Sequence, residues 1–216
     1  MADMVKRERG PRRWLVVMAK QPRCGAVKTR LAHDIGAVAA TQFYRMTLAN
    51  VSARLARDPR WRTLMAVSPD TSIDSAVWPE GTALIPQGRG DLGARMQRVF
   101  DCLPPGPVVI IGTDIPEITS RHIARAFEGL GQNDAVLGPC EDGGYWLVGA
   151  RRVPAIVSLF DNVRWSSAHT LSDTLTNLKG ARVHMLECLS DVDDGEGYRR
   201  LGSVAARVVP PPWRKF

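Results

Sequence analysis

Residues 107–112 read PVVIIG, an unbroken apolar run rich in β-branched side chains. A half-exposed strand alternates apolar with polar residues. A run without alternation fits a central parallel strand covered on both faces. Parallel neighbours in turn require crossover connections, usually helices. Strand-like segments fall at residues 14–19, 62–67, 83–85, 135–137, 145–148 and 182–186. Helical patterns lie between them. Residues 36–58 carry Tyr44, Leu48, Val51 and Leu55 in one stripe, and residues 92–103 carry Leu92, Met96, Val99 and Leu103. Thr119 or Ser120 can cap a helix bearing Ile123, Phe127 and Leu130. Residues 166–179, closed by Gly180, and residues 198–208 complete the set. The alternation predicts an α/β fold with a mainly parallel sheet and helices on both faces.

A chain of 216 residues, 44% hydrophobic and 24% charged, has room for one such domain. It is expected over 14–208, between a flexible basic N-terminus at 1–13 and a C-terminal tail at 209–216. No internal repeat or linker divides it. The net charge of +7 raises nucleic acid as a partner. However, many cations sit in the two end segments, and Arg45, Arg54 and Arg57 are scattered along a helix. No basic stripe is interleaved with aromatics of the kind that stacks bases. The excess is therefore assigned to a phosphate-rich small ligand and to the tails, with no nucleic-acid partner expected. No apolar run approaches the ~20 residues that span a bilayer, and no signal peptide is expected, so a cytoplasmic location is. Cys24, Cys102, Cys140 and Cys188 are dispersed and read as reduced thiols, and the four histidines lack metal-ligand spacing. Nothing in the sequence sets the oligomeric state.

Ligands of open α/β sheets bind outside the carboxyl ends of the strands, which directs attention to the loops there. The first, MAKQPRCGAVKTRL at 18–31, offers Gly25 for close backbone approach and Lys28 and Arg30 to neutralise a phosphate. It is not a P-loop: Val27 precedes Lys28 and Pro22 stands in place of the earlier glycine. A turn into a solvated helix start is the competing reading. QGRGDLG at 87–93 is a literal G-x-G-x-x-G, with Asp114 about twenty residues on. A dinucleotide fold is disfavoured, because the motif belongs to a later βα unit, Pro86 sits at the strand exit and Asp91 puts a carboxylate where pyrophosphate would dock. The turn is better suited to face Gln87, Asp91 or Arg95 toward a nucleotide.

Asp114 follows the central strand, where a carboxylate can hold Mg²⁺ or Mn²⁺ against diphosphate oxygens; fixing the turn before Pro116 is the alternative. In EDGGYWLVG at 141–149 the glycines open space and Asp142 can accept hydrogen bonds from a hydroxylated acceptor. An Asp-Gly hairpin is compatible with that. SDVDDGEG at 190–197 supplies Asp191, Asp193 and Asp194 but lacks the closing glutamate of an EF-hand. A second metal carboxylate and a solvated acidic turn both remain open there.

Taken in order, AKQPRCGAVKTRL, QGRGDLGARM, GTDIP, GPCEDGGYWLVG, NVRWSS and LSDVDDGEGY resemble a bacterial family of GT-A-type transferases. Some members are called selenodomain-associated transferase or simply glycosyltransferase. The chain is more distantly similar to the nucleotidyltransferases of molybdenum-cofactor dinucleotide synthesis and to 2-phospholactate guanylyltransferase. The resemblance runs from about Trp14 to Leu201 and implies a single-domain GT-A three-layer sandwich. It implies that Gly25, Lys28 and Arg30 embrace the nucleotide phosphates and that Gly88, Asp91 and Arg95 border the nucleotide. Asp114 would be the metal ligand, while Asp142, Gly143, Gly144, Tyr145, Trp165 and Ser166 would face the acceptor. Asp193 matches the aspartate of the family's closing D-V-D-T segment. Here Asp194 replaces the usual threonine and Gly-Tyr the usual Asp-Leu, and Arg23-Cys24 replaces small or proline residues. The implied activity is metal-dependent transfer from a nucleoside-phosphate donor to a small acceptor. It is either glycosyl transfer from a nucleotide-sugar, with Asp142 as candidate base, or nucleotidyl transfer. A non-catalytic nucleotide-binding sensor is the alternative.

Overall fold

The run at 107–112 becomes the buried strand β4 (Val108–Ile111), the middle strand of a seven-stranded sheet. The computed structural model describes residues 13–152 and 158–208. The tail expected at 209–216 and all but Arg13 of the expected N-terminal segment lie outside those residues. The other strands are β1 (Trp14–Lys20), β2 (Arg62–Ser68), β3 (Ala83–Pro86), β5 (Ala135–Pro139), β6 (Tyr145–Ala150) and β7 (Val183–Met185). They are ordered β3-β2-β1-β4-β6-β5-β7. All pairings are parallel except those of β6, which runs antiparallel to both β4 and β5. The helices are α1 (Thr29–Ile35), α2 (Ala37–Ala56), α3 (Leu92–Cys102), α4 (Ser120–Gly129), α5 (Thr170–Asn177) and α6 (Gly195–Val208).

Alternation along β1 divides the core. Leu15, Val17 and Ala19 face one side with Leu48, Val51 and Leu55 of α2 and Ile123 and Phe127 of α4. Trp14 and Val16 face the other, with Met96, Val99 and Phe100 of α3 and with Leu159 and Phe160. Both faces of the sheet are therefore covered, which gives the three-layer α/β sandwich expected. Burial of a side chain the size of Leu48 or Phe100 contributes about 1.5–3 kcal/mol.

Three helix starts differ from the sequence reading. Gly36, at φ 85°, separates α1 from α2, so the apolar stripe starts one residue later than read and a short extra helix precedes it. The helix expected at 166–179 begins only at Thr170. Asp173 accepts hydrogen bonds from the main chain of Arg164 and from its guanidinium, holding 164–169 as a turn in which Ser166 has φ 54°. Helix α6 starts at Gly195 instead of 198, because the Asp34 carboxylate accepts from Gly195 N–H at 2.6 Å and Asp194 accepts from Gly197 N–H.

The chain crosses from one side of β1 to the other between β3 and β4. Such a topological switch opens a crevice beyond the carboxyl ends of the two central strands. The loop after β1 holds Lys28, and the loop after β4 holds Asp114.

Candidate active site

Across that crevice the Lys28 ammonium reaches both carboxylates: Nζ lies 2.6 Å from Asp114 Oδ1 and 2.7 Å from Asp193 Oδ1. The Lys28 side chain is 4% exposed, against 51% for Asp114 and 40% for Asp193. Lys28 takes the left-handed conformation at the first turn of α1, φ 49° and ψ 47°, and makes no side-chain cap for that helix. A non-glycine residue is uncommon there, and the conformation aims the side chain across the crevice. Burial works against the ammonium, yet the two carboxylates outweigh it and hold the Lys28 pKa above its ordinary value. Arg30, 75% exposed, approaches Asp193 Oδ2 at 3.7 Å.

Around this triad lies a cavity of about 640 Å³, floored by the ends of β1 and β4 and walled by the first loop and the start of α3. Lys28, Arg30, Gln87, Asp91, Arg95, Asp114, Tyr145, Ser166 and Asp193 line it. A second cavity of about 400 Å³ adjoins it through Arg30, Asp114, Tyr145, Ser166 and Asp193, and adds Cys140, Asp142, Gly144, Trp165 and Asp191. The charge differs between the two. The first sets Lys20, Lys28, Arg30 and Arg95 against Asp91, Asp114 and Asp193; the second faces Asp114, Asp142, Asp191 and Asp193, with Arg30 its one cation among the described residues. Burial, reinforced by the Asp193 and Asp142 carboxylates, pushes the Asp191 pKa up to about 6. Burial also raises the Cys140 thiol and the Tyr145 phenol.

Several residues singled out in the sequence have defined local duties. Asp91 is the N-cap of α3, its carboxylate accepting from Ala94 N–H at 2.8 Å. Gln87 is buried, donating through Nε2 to the carbonyls of Ala19 and Ala66 and accepting a long bond from Arg95. Asp142 accepts from Gly144 N–H in the turn that joins β5 to β6, so the Asp-Gly hairpin is present. Trp165 packs between Tyr145 and Phe160 and against Gly93, with its indole N–H buried and unpartnered. Gly25, Gly88 and Gly143 shape loops beside the cavities without lining them, each at positive φ. Gly88 lies against the Arg98 guanidinium and Gly143 against the Ala168 backbone.

Sequence reasoning missed two contributors. Tyr44, read as part of an apolar stripe, uses its hydroxyl to accept from Lys20 N–H, donate to Lys20 O and meet Thr113, and so pins the end of β1 beneath the first cavity. Thr113, the residue before Asp114, gave no signal of its own.

The donor set suits a divalent cation of the Mg²⁺ or Mn²⁺ type in one respect: two partly exposed carboxylates converge on one cationic position, held here by an ammonium. Among the described residues no group of three or more His, Cys, Asp or Glu is arranged to hold a metal by itself. A hard cation bound through one or two carboxylates is completed by water and substrate phosphates. Among the described residues, no helix is long and apolar enough to cross a membrane.

Comparison with solved structures finds the same architecture in several proteins. A Desulfovibrio desulfuricans G20 protein described as a candidate nucleotide-diphospho-sugar transferase is 27% identical, with TM-score 0.81 over 92% of this chain and 89% of that one. CMP:2-keto-3-deoxy-manno-octonic acid synthetase, solved with CTP, shares the fold at 12% identity and TM-score 0.59, over 91% and 99% of the two chains. The 4-diphosphocytidyl-2C-methyl-D-erythritol synthase of Anaerococcus prevotii does so at 10% identity and TM-score 0.57, over 90% and 98%. No curated protein matches the sequence. A family model matches residues 47–167, more than half the chain, and the protein belongs to that family, described as "Uncharacterized protein conserved in bacteria (DUF2064)".

Proposed function

We propose that the protein transfers a group from a nucleoside-phosphate donor to a small hydroxyl-bearing acceptor, within a single transferase domain over 14–208. The observation that carries the reading is the meeting of Lys28 with Asp114 and Asp193 at the crevice between β1 and β4. The shared fold of a candidate nucleotide-diphospho-sugar transferase and of two nucleotidyltransferases supports it. The donor occupies the first cavity, where Lys28, Arg30 and Arg95 offset phosphate charge and help stabilise the departing phosphate oxygens. Asp114 and Asp193 would hold Mg²⁺ or Mn²⁺, which would supply further neutralisation on the diphosphate.

The acceptor occupies the second cavity against the Trp165 and Tyr145 rings. Four carboxylates facing a single arginine disfavour an acceptor bearing phosphate, and they accept hydrogen bonds from hydroxyls. Asp142 stands on the hairpin tip as the residue to receive the acceptor's proton in glycosyl transfer. Nucleotidyl transfer uses the same cations with attack at the α-phosphorus. Free thiols at all four cysteines suit a cytoplasmic enzyme.

The test is a thermal-shift screen of nucleoside triphosphates and nucleotide-sugars with Mn²⁺ present, followed by product analysis. A donor that raises the melting temperature and is consumed in the presence of a polyol acceptor is the expected result. Binding without turnover would make the protein a sensor instead, and no binding would refute the reading.

A further inference from the structure

We propose that Lys28 is a resident counter-ion that competes with a free divalent cation for the Asp114–Asp193 seat. The proposal deepens the reading above and rests on it. The ammonium nitrogen stands between Asp114 Oδ1 and Asp193 Oδ1 at hydrogen-bond distance from each. A divalent cation bridging the same two oxygens at about 2.0–2.1 Å would need the space that Nζ fills. It would also meet a like charge there.

Lys28 is not a surface side chain that happens to rest on two acids. It is the enclosed member of the triad, and the carboxylates are the exposed ones. Its left-handed backbone and unused cap position are explained by the aim of its side chain. The two carboxylates are also held together from behind, because the main chains of their loops are hydrogen-bonded: Val192 N–H donates to Asp114 O at 3.2 Å. The seat is thus preformed and already holds a cation, with the exposed Arg30 guanidinium beside Asp193 as a second.

Removing the ammonium without a replacement would leave Asp114, Asp193 and the neighbouring Asp191 facing one another. Charge balance therefore favours an exchange: the cation takes the carboxylates while the ammonium turns to the phosphate oxygens that arrive with the donor. It follows that cation and nucleotide enter together and that the free protein binds the cation poorly.

The experiment titrates wild type, Lys28→Met and Lys28→Gln with MnCl2 alone and follows the free Mn²⁺ signal by electron paramagnetic resonance. Both variants are expected to bind Mn²⁺ at least tenfold more tightly than wild type, and adding Asp193→Asn should abolish the gain. Equal or weaker binding by variants whose circular dichroism matches wild type would overturn the proposal. A second measurement needs only the wild-type chain: acetylation of Lys28 by acetic anhydride, read by mass spectrometry. It should stay at its low basal level when millimolar MnCl2 is added alone, and a several-fold rise would overturn the proposal. Neither measurement involves a nucleotide or turnover. Failure of every donor to bind would refute the transferase reading and leave these results standing, and the converse also holds.

Discussion

The main-chain N–H of Val192 donates to the carbonyl oxygen of Asp114 at 3.2 Å, joining loops that lie far apart in the chain. This bond places Asp193 beside Asp114, and with them the two acids that share the Lys28 ammonium. Much of what the site can do follows from that pairing.

On the proposed function, Asp114→Asn is expected to lower kcat by about 10²-fold or more, because it weakens the carboxylate pair that would hold the divalent cation. The fold should survive. Lys28 keeps Asp193 as its partner, so the loss of stability should not exceed about 1–3 kcal/mol. Paired turnover assays and chemical denaturation check both halves. Full activity in the variant would remove Asp114 from the proposed role.

Gly93→Ala tests the acceptor wall. A Cβ there would meet the Trp165 ring at 2.7 Å and Phe160 at 3.0 Å. Overpacking of this kind costs about 1–3 kcal/mol and shifts the indole. The acceptor KM should rise several-fold, with donor affinity close to that of wild type. An equal change in both would argue that Trp165 does not border the acceptor.

Gln87→Leu separates architecture from donor binding. The amide is buried between the carbonyls of Ala19 and Ala66. Losing both bonds should cost about 1–3 kcal/mol by urea denaturation. Donor affinity should fall only modestly, through the lost bond to Arg95.

Asp173 gives a pH signature away from the site. Hydrogen bonds from the Arg164 side chain, then its main chain, hold the Asp173 pKa well below the usual carboxylate range. A carboxyl depressed in the folded state contributes stability that is complete above its unfolded value, about 4, and is lost as pH falls toward the folded value. The melting-temperature gap between wild type and Asp173→Asn should therefore be flat from pH 8 to about pH 5. It should narrow steadily below about pH 4. A gap independent of pH would show that the Arg164 bonds do not survive in solution.

The central sheet was legible because its information is local: PVVIIG has no polar residue to place outward, and the helices on either side carry single apolar stripes. Where the reading slipped, the cause was a contact distant in sequence or a polar tip on an apolar body. Helix α5 starts late because Asp173 reaches back nine residues to Arg164, and α6 starts early because Asp34 meets Gly195. Neither pairing has a periodicity to detect. Tyr44 was counted as core, correctly for its ring, while its hydroxyl tethers Lys20. QGRGDLG drew attention by its glycines, yet its strongest structural contribution is the Asp91 cap and the buried Gln87 amide. For the candidate site, the motifs singled out along the chain fall on loops at 26–30, 114, 140–145, 165–166 and 191–193, and these gather at one rim. That one lysine would join the first and last of these through a shared ammonium could not be read from spacing.

Strand β6 enters the sheet reversed, so the hairpin tip at 140–144 arrives at the same rim as the ends of β1 and β4. The turn is held by β5 and β6, by Leu171 N–H of α5 donating to Gly143 O, and by the bridge between Cys140 and Leu189. Exchanges in this tip would remodel the second cavity, which the proposed function assigns to the acceptor, while the β1 and β4 floor of the first stayed in place, making the hairpin the natural graft point for redirecting specificity.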